Sequence, residues 1–290
     1  AVGNSVVPLV FLAVSALMNI GLDLWFVVRL KRGAAGAAEA TVISQYVSGV
    51  GLAAFYWLRF PWLRIKREHM RMRWECVREI GGFSVLTCVQ QSVMNLGILM
   101  VQGLVNSFGT AVMAAFAAAV KIDAFAYMPV QDFGNAFSTF IAQNYGAGKR
   151  ERIRAGLRGA VLTALIFCII ISAGVWVLAR PLMLLFVNQE ETQILAEGIR
   201  YLHIEGAFYC GIGCLFLFYG LYRALGKPGM SVVLTVISLG SRVALAYILS
   251  GIPQIGVVGI WWSVPIGWFL ADMTGLIYYL ARKKRLLRNK

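Results

Sequence analysis

Eight apolar stretches, each long enough to cross a lipid bilayer, limit what this 290-residue chain can become. They run over about 6–28, 38–58, 80–106, 111–143, 156–178, 202–222, 230–250 and 257–280. A hydrocarbon core of about 30 Å takes about 20 helical residues. No water is available there to satisfy backbone N–H and C=O groups, so a spanning segment must bond to itself as a helix or close into a barrel. Short runs of alternating polarity, the mark of a barrel, are missing. The fold class that follows is all-α: a polytopic membrane protein with eight transmembrane helices. Mean hydropathy is +0.73 and 59% of residues are apolar, against about 45–50% in ordinary globular chains.

Net charge is +14, which would fit a nucleic-acid partner if the charge formed a patch. It does not. Threading the eight helices puts 20 of the 27 Lys and Arg on one side of the membrane. Lys and Arg accumulate in cytoplasmic loops, so the 59–78 loop, the 145–155 loop and the C-terminal tail are expected in the cytoplasm. The expected location is the cell membrane, with the bilayer as partner and no nucleic acid. A local exception is the cluster of Arg29, Lys31 and Arg32 on the outer side.

The two ends of the chain are related. At a fixed offset of 223 residues, Ala1-Val2-Gly3 falls on Ala224-Leu225-Gly226, Ser15 on Ser238, Leu22 on Leu245, and Gly33-x-x-Gly36 on Gly256-x-x-Gly259. Transporters are often built from such repeats, with the site where the repeats meet. The first copy starts at residue 1, so about four further helices are expected before Ala1, with Arg directly preceding it by analogy with Arg223. The whole would be a two-lobe, twelve-helix transporter, of which this chain carries 2 + 6. Residues 1–58 would be the last two helices of the N-terminal lobe, 59–78 a basic cytoplasmic linker, and 79–290 a complete six-helix lobe. Within it, the 111–143 run is expected to break or kink at Pro129 and Gly134, with Asp132 capping the resumed helix. The polar stretch 188–198 reads as an outer loop entering a short surface helix.

Several motifs resemble the multidrug and toxic compound extrusion (MATE) family: Ala1-Val2-Gly3-Asn4-Ser5, Gly36-Ala37-Ala38-Glu39-Ala40-Thr41, Gln90-Gln91, Val101-Gln102-Gly103-Leu104-Val105-Asn106, Ala142-Gln143-Asn144-Tyr145-Gly146-Ala147-Gly148-Lys149 and Tyr222-Arg223-Ala224-Leu225-Gly226. The resemblance covers essentially the whole chain, from the family's fifth helix to its twelfth. It implies export of organic, often cationic, small molecules in exchange for Na⁺ or H⁺. It also implies two lobes facing a central cavity and alternating access, with no cofactor. The family's coupling-ion pattern of Asn and Asp one turn apart, with Thr on the next helix, is matched by Asn19, Asp23 and Thr41. Glu39 departs from the small residue usual there.

The residues point the same way. An ionisable group within a spanning helix is costly, about 2.5–3.5 kcal/mol near the centre, and marks a functional site by default. Asp23 is such a group, and Asn19 shares its helix face. Convergent oxygen ligands suit a hard cation such as Na⁺ at Asp23 and Asn19, or a proton relay. The competing reading makes Asp23 a residue near the outer interface that reaches water or pairs with Arg29 or Lys31. Gln90, Gln91, Asn95 and Asp123 are candidate cavity-lining residues, the first three also being possible partners for Asp123 and Lys121. Asp123 is equally open to a buried structural ion pair. Asp272 is open between a structural and a cavity role. Arg242 occupies the repeat position of Asn19, so only one lobe is expected to bind the cation. The aromatics Phe208, Phe216, Tyr219, Trp261, Trp262 and Trp268 either pack or meet a flat cation. The five cysteines read as packing residues, and His69 and His203 have no metal-ligand companions.

Two other functions compete. A flippase for lipid-linked precursors would need a cationic cavity, whereas the membrane acids Asp23, Asp123 and Asp272 outnumber the bases Lys121 and Arg242. A membrane-embedded enzyme would need a catalytic cluster, and the sequence offers none.

Overall fold

The computed structural model describes residues 6–63 and 73–286, and all regular structure among them is helical. The Ala1–Ser5 motif, residues 64–72 of the basic linker with His69, and tail residues 287–290 lie outside the described residues. Helix α1 covers Val6–Asp23 and continues as a π-helical turn, Leu24–Arg29. Then come α2 (Gly33–Arg59), α3 (Trp74–Asn106), α4 (Thr110–Gly146), α5 (Arg150–Met183), α6 (Thr192–Gly206), α7 (Tyr209–Ala224), α8 (Pro228–Ser250) and α9 (Val258–Leu286).

Each apolar run has become helix, and the protein is a multi-pass membrane protein. Among the described residues six helices are long and apolar enough to span, and α6 with α7 forms a bent seventh. Helix α2 has the length of a span at 27 residues. Its many Gly, Ala, Ser and Thr side chains keep it below the apolarity of those six.

Two local expectations need correction. Helix α4 runs for 37 residues through Pro129, so of the expected break or kink the break does not occur and Asp132 has no resumed helix to cap. Spanning helices tolerate proline because local adjustments and neighbouring groups satisfy the freed carbonyl. Gly134 serves close packing instead: a Cβ on Gly220 of α7 would lie 2.6 Å from the Gly134 carbonyl oxygen. The second correction concerns 202–222. The chain bends there by 52° between α6 and α7. Helix α6 begins at Thr192, so the polar stretch and the start of the apolar run form one helix that ends at Gly206.

The chain divides into two compact units, Ala1–Trp74 and Glu75–Lys290. In the first, α1 packs on α2, with the Ser15 hydroxyl donating to the Ser44 carbonyl at 3.0 Å. In the second, α4 packs against α5, α6 and α7, while α8 pairs with α9. The second unit holds a continuous core that includes Phe116, Tyr201, Tyr222, Leu234 and Trp261.

The helix pairs α1–α2 and α8–α9 carry the 223-residue repeat in their geometry. Gly33 and Gly256 both take the left-handed backbone, with φ of 56° and 53°. A Cβ on Gly36 would come within 2.9 Å of the Phe26 and Arg32 Cβ atoms. A Cβ on Gly259 would meet Leu249 Cβ at 2.5 Å and Ile255 Cγ2 at 3.0 Å. Positions 26 and 32 become 249 and 255 under the same offset. So does the crossing point: Ser15 meets Ser44 in one pair, and Gly267 approaches the Ser238 carbonyl in the other.

Candidate functional site

Asn19 and Asp23 occupy the last turn of α1, where the helix loosens into its π turn. Such wide turns are rare and occur often at functional sites. The four-residue spacing puts both side chains on one face. The Asn19 amide donates to Thr41 Oγ1 at 3.3 Å, joining α1 to α2. Thr41 in turn donates to the Ala37 carbonyl at 3.0 Å. These bonds leave the Asn19 carbonyl oxygen and a Thr41 lone pair available. Asp23 is half-buried, and its Oδ1 has no hydrogen-bond partner among the described residues.

A buried carboxylate oxygen without a donor is costly. No ion pair links Asp23 to Arg29 or Lys31 among the described residues. Arg29 lies over the Trp25 ring instead, 5.5 Å from its centroid. Glu39 pairs with Arg32 on the exposed surface. An orphaned carboxylate oxygen one helical turn from an amide that bonds a threonine hydroxyl offers three hard oxygen donors. They fit Na⁺ or a transferable proton.

The second unit contains a cluster that sequence reasoning did not assemble. Asp123 of α4 is 5% exposed and Glu205 of α6 is 1% exposed. The Tyr209 hydroxyl donates to Asp123 Oδ1 at 2.5 Å, and Tyr201 reaches Glu205 Oε2 at 2.8 Å and Asp123 Oδ2 at 3.4 Å. The Tyr201 ring packs edge-on to Phe116 and Trp261, which stack on each other. Arg242 is near enough for its charge to act on both carboxylates. The partners of Asp123 are therefore Tyr201, Tyr209 and Glu205, around the α6–α7 bend. Among the described residues none of Gln90, Gln91 and Asn95 hydrogen-bonds it. Gln90 is half-buried, and Gln91 and Asn95 are exposed on α3. Lys121 turns away, exposed, with its ammonium 5.8 Å from the Phe186 ring centroid.

An acid within the apolar 202–222 run was the available signal for Glu205. Its partnership with Asp123, 82 positions away, was not readable from periodicity. Of the aromatic candidates, Phe216, Tyr219, Trp261 and Trp268 belong to the packed core, while Phe208 and Trp262 form an exposed edge-to-face pair. The Asp272 Oδ1 is buried with no hydrogen-bond partner among the described residues.

With this architecture in place, comparison with known proteins is decisive. The model of the MatE family matches residues 85–248, more than half of the chain. The chain belongs to the MatE family. It is 27% identical over 281 residues to the probable multidrug resistance protein YpnP of Bacillus subtilis, covering 96% of this chain and 62% of YpnP. Its fold is similar to that of a mutant of the MATE transporter VcmN from Vibrio cholerae, with a TM-score of 0.89 at 23% identity, over 98% of this chain and 64% of VcmN. A MOP superfamily transporter from Pyrococcus furiosus gives a TM-score of 0.88 at 21% identity, over 97% of this chain and 63% of the other. The MatE chain thus spans about three-fifths of the length of the relatives it matches.

Proposed function

We propose that this MatE chain is part of an antiporter, coupled to Na⁺ or H⁺, that exports organic, cationic drugs or metabolites across the cell membrane by alternating access. The supporting observation is the half-buried Asp23 with its donor-less Oδ1, one helical turn from Asn19, which bonds Thr41. Asp23 supplies the charge, Asn19 a carbonyl oxygen and Thr41 a hydroxyl. A bound cation or a hydrogen-bonded proton would satisfy the donor-less oxygen. Exchange of the bound ion on opposite sides of the membrane would then drive the cycle.

Arg242 stands at the repeat position of Asn19, where the second unit already carries a tethered cation near Asp123 and Glu205. We assign the mobile ion to the first unit for that reason. The C-terminus and the basic loops are assigned to the cytoplasm by the positive-inside bias. The relatives, multidrug resistance and export proteins among them, favour drug export over lipid flipping or membrane-embedded catalysis.

The test is gradient-driven efflux of a fluorescent organic cation from proteoliposomes, with Na⁺ and H⁺ gradients imposed separately. Asp23→Asn keeps the shape and removes the charge, so coupling should be lost while insertion persists. Asn19→Ala and Thr41→Ala should weaken coupling more mildly. Wild-type efflux by well-inserted Asp23→Asn under both gradients would place the coupling site elsewhere.

A further inference from the structure

The second unit has one strongly basic end. There Arg78 opens α3, basic residues at 149–158 surround the α4–α5 turn, Arg223 and Lys227 flank the α7–α8 turn, and Arg282 closes α9. A groove of about 770 Å³ lies at this end, lined by α3, the start of α8 and Tyr278 of α9. That volume falls within the usual range of ligand sites, about 300–1,000 Å³.

The groove changes character along its length. At its mouth Arg78 and Lys227 both line it, and neither forms an ion pair among the described residues. Glu75 also lines the mouth, so fixed charge there sums to one net positive. The Arg282 guanidinium adds another cation nearby, 5.3 Å from the centroid of the Tyr278 ring. One to three turns further along, the walls become apolar: Phe83 and Leu86 on α3, Met230 and Val233 on α8. The groove is open between these walls at Gly82, where an added Cβ would meet nothing within 4 Å.

Cations at helix ends with apolar walls deeper along the same helices reproduce the profile of a phospholipid, whose phosphate sits at the interface and whose chains enter the hydrocarbon. A small soluble anion would gain from the cations and nothing from the apolar walls. Basic pockets between spanning helices on the cytoplasmic side are recognised sites for anionic headgroups, and each Lys or Arg near an anionic surface contributes about 1 kcal/mol.

We propose that this groove holds an anionic phospholipid, with its phosphate on Arg78 and Lys227 and an acyl chain along Phe83, Leu86, Met230 and Val233. The site is independent of the ion site in the first unit, and its test reads lipid rather than transport.

The protein is purified in detergent with equal amounts of phosphatidylglycerol and phosphatidylcholine, and retained lipid is counted by native mass spectrometry. Wild type should retain the anionic lipid preferentially. The double variant Arg78→Gln/Lys227→Gln should lose about 30-fold in retention of phosphatidylglycerol, from two cations. Gly82→Leu keeps every charge but fills the groove, so it should lose retention as well and guards against a folding artefact in the double variant. Equal retention of both lipids by wild type would overturn the proposal. So would an unchanged preference in both variants, or displacement of the lipid by millimolar inorganic phosphate, which would mark a soluble-anion site.

Discussion

Tyr201→Phe deletes one hydroxyl from the interior of the second unit and leaves the ring contacts intact. The ring would still meet Trp261, with centroids 5.0 Å apart, and Phe116 at 5.6 Å. The hydroxyl has one proton to donate, and the shorter contact, 2.8 Å to Glu205 Oε2, takes it in preference to the 3.4 Å contact to Asp123. Asp123 keeps its bond from Tyr209 after the substitution. Glu205 loses its tyrosine donor and is left with its contact to Asp123, its Oε1 being already buried without a partner. An unsatisfied buried polar group costs about 1–3 kcal/mol, while side-chain hydrogen bonds in membrane proteins average about 0.6 and reach about 1.7 kcal/mol. A loss of about 1–2 kcal/mol follows, which at about 2–4 °C per kcal/mol lowers Tm by roughly 2–8 °C. Thermal melting in detergent measures it. The same substitution in a Glu205→Met background should cost less, because only the longer 3.4 Å contact to Asp123 remains to be lost. An unchanged Tm for Tyr201→Phe, or an equal loss in both backgrounds, would refute the claim that this hydroxyl satisfies Glu205.

Gly220→Leu should destabilise by about 1–3 kcal/mol through overpacking, since even its Cβ would press within 2.6 Å of the Gly134 carbonyl oxygen; the matched control Gly229→Ala, open at its Cβ, should melt close to wild type. Cysteines introduced at Lys149 or Arg223 should resist an impermeant thiol reagent added outside intact cells; labelling of both would reverse the assigned topology.

The apolar runs were legible because membrane insertion depends on side-chain transfer summed over about 20 residues, which needs no knowledge of neighbours. The repeat was legible for a related reason. Glycine at 33 and 256 answers a left-handed backbone, and glycine at 36 and 259 answers a close approach of chain segments no more than ten positions away. The Asn19–Asp23 pair could be read because four residues make one helical turn. Where a reading failed, a distant partner intervened. Pro129 does not interrupt α4, and the glycine beyond it is there for the backbone of α7. The apolar run at 202–222 bends near Gly206, and the bend brings Tyr201 and Tyr209 onto the same aspartate.

Sequence alone thus determined the helical class, the multi-pass character, the pairing of helices related by 223 residues, and Asp23 as a charge in need of a partner. Tertiary structure decided which groups answer one another: Tyr209 for Asp123, Tyr201 for Glu205, and the open groove at Arg78 and Lys227. The physical reason is range. Hydropathy and helical phase act within one segment and leave a periodic trace in it, whereas a hydrogen bond between helices depends on a distance of about 3 Å between groups far apart in the chain, and no local pattern encodes that distance.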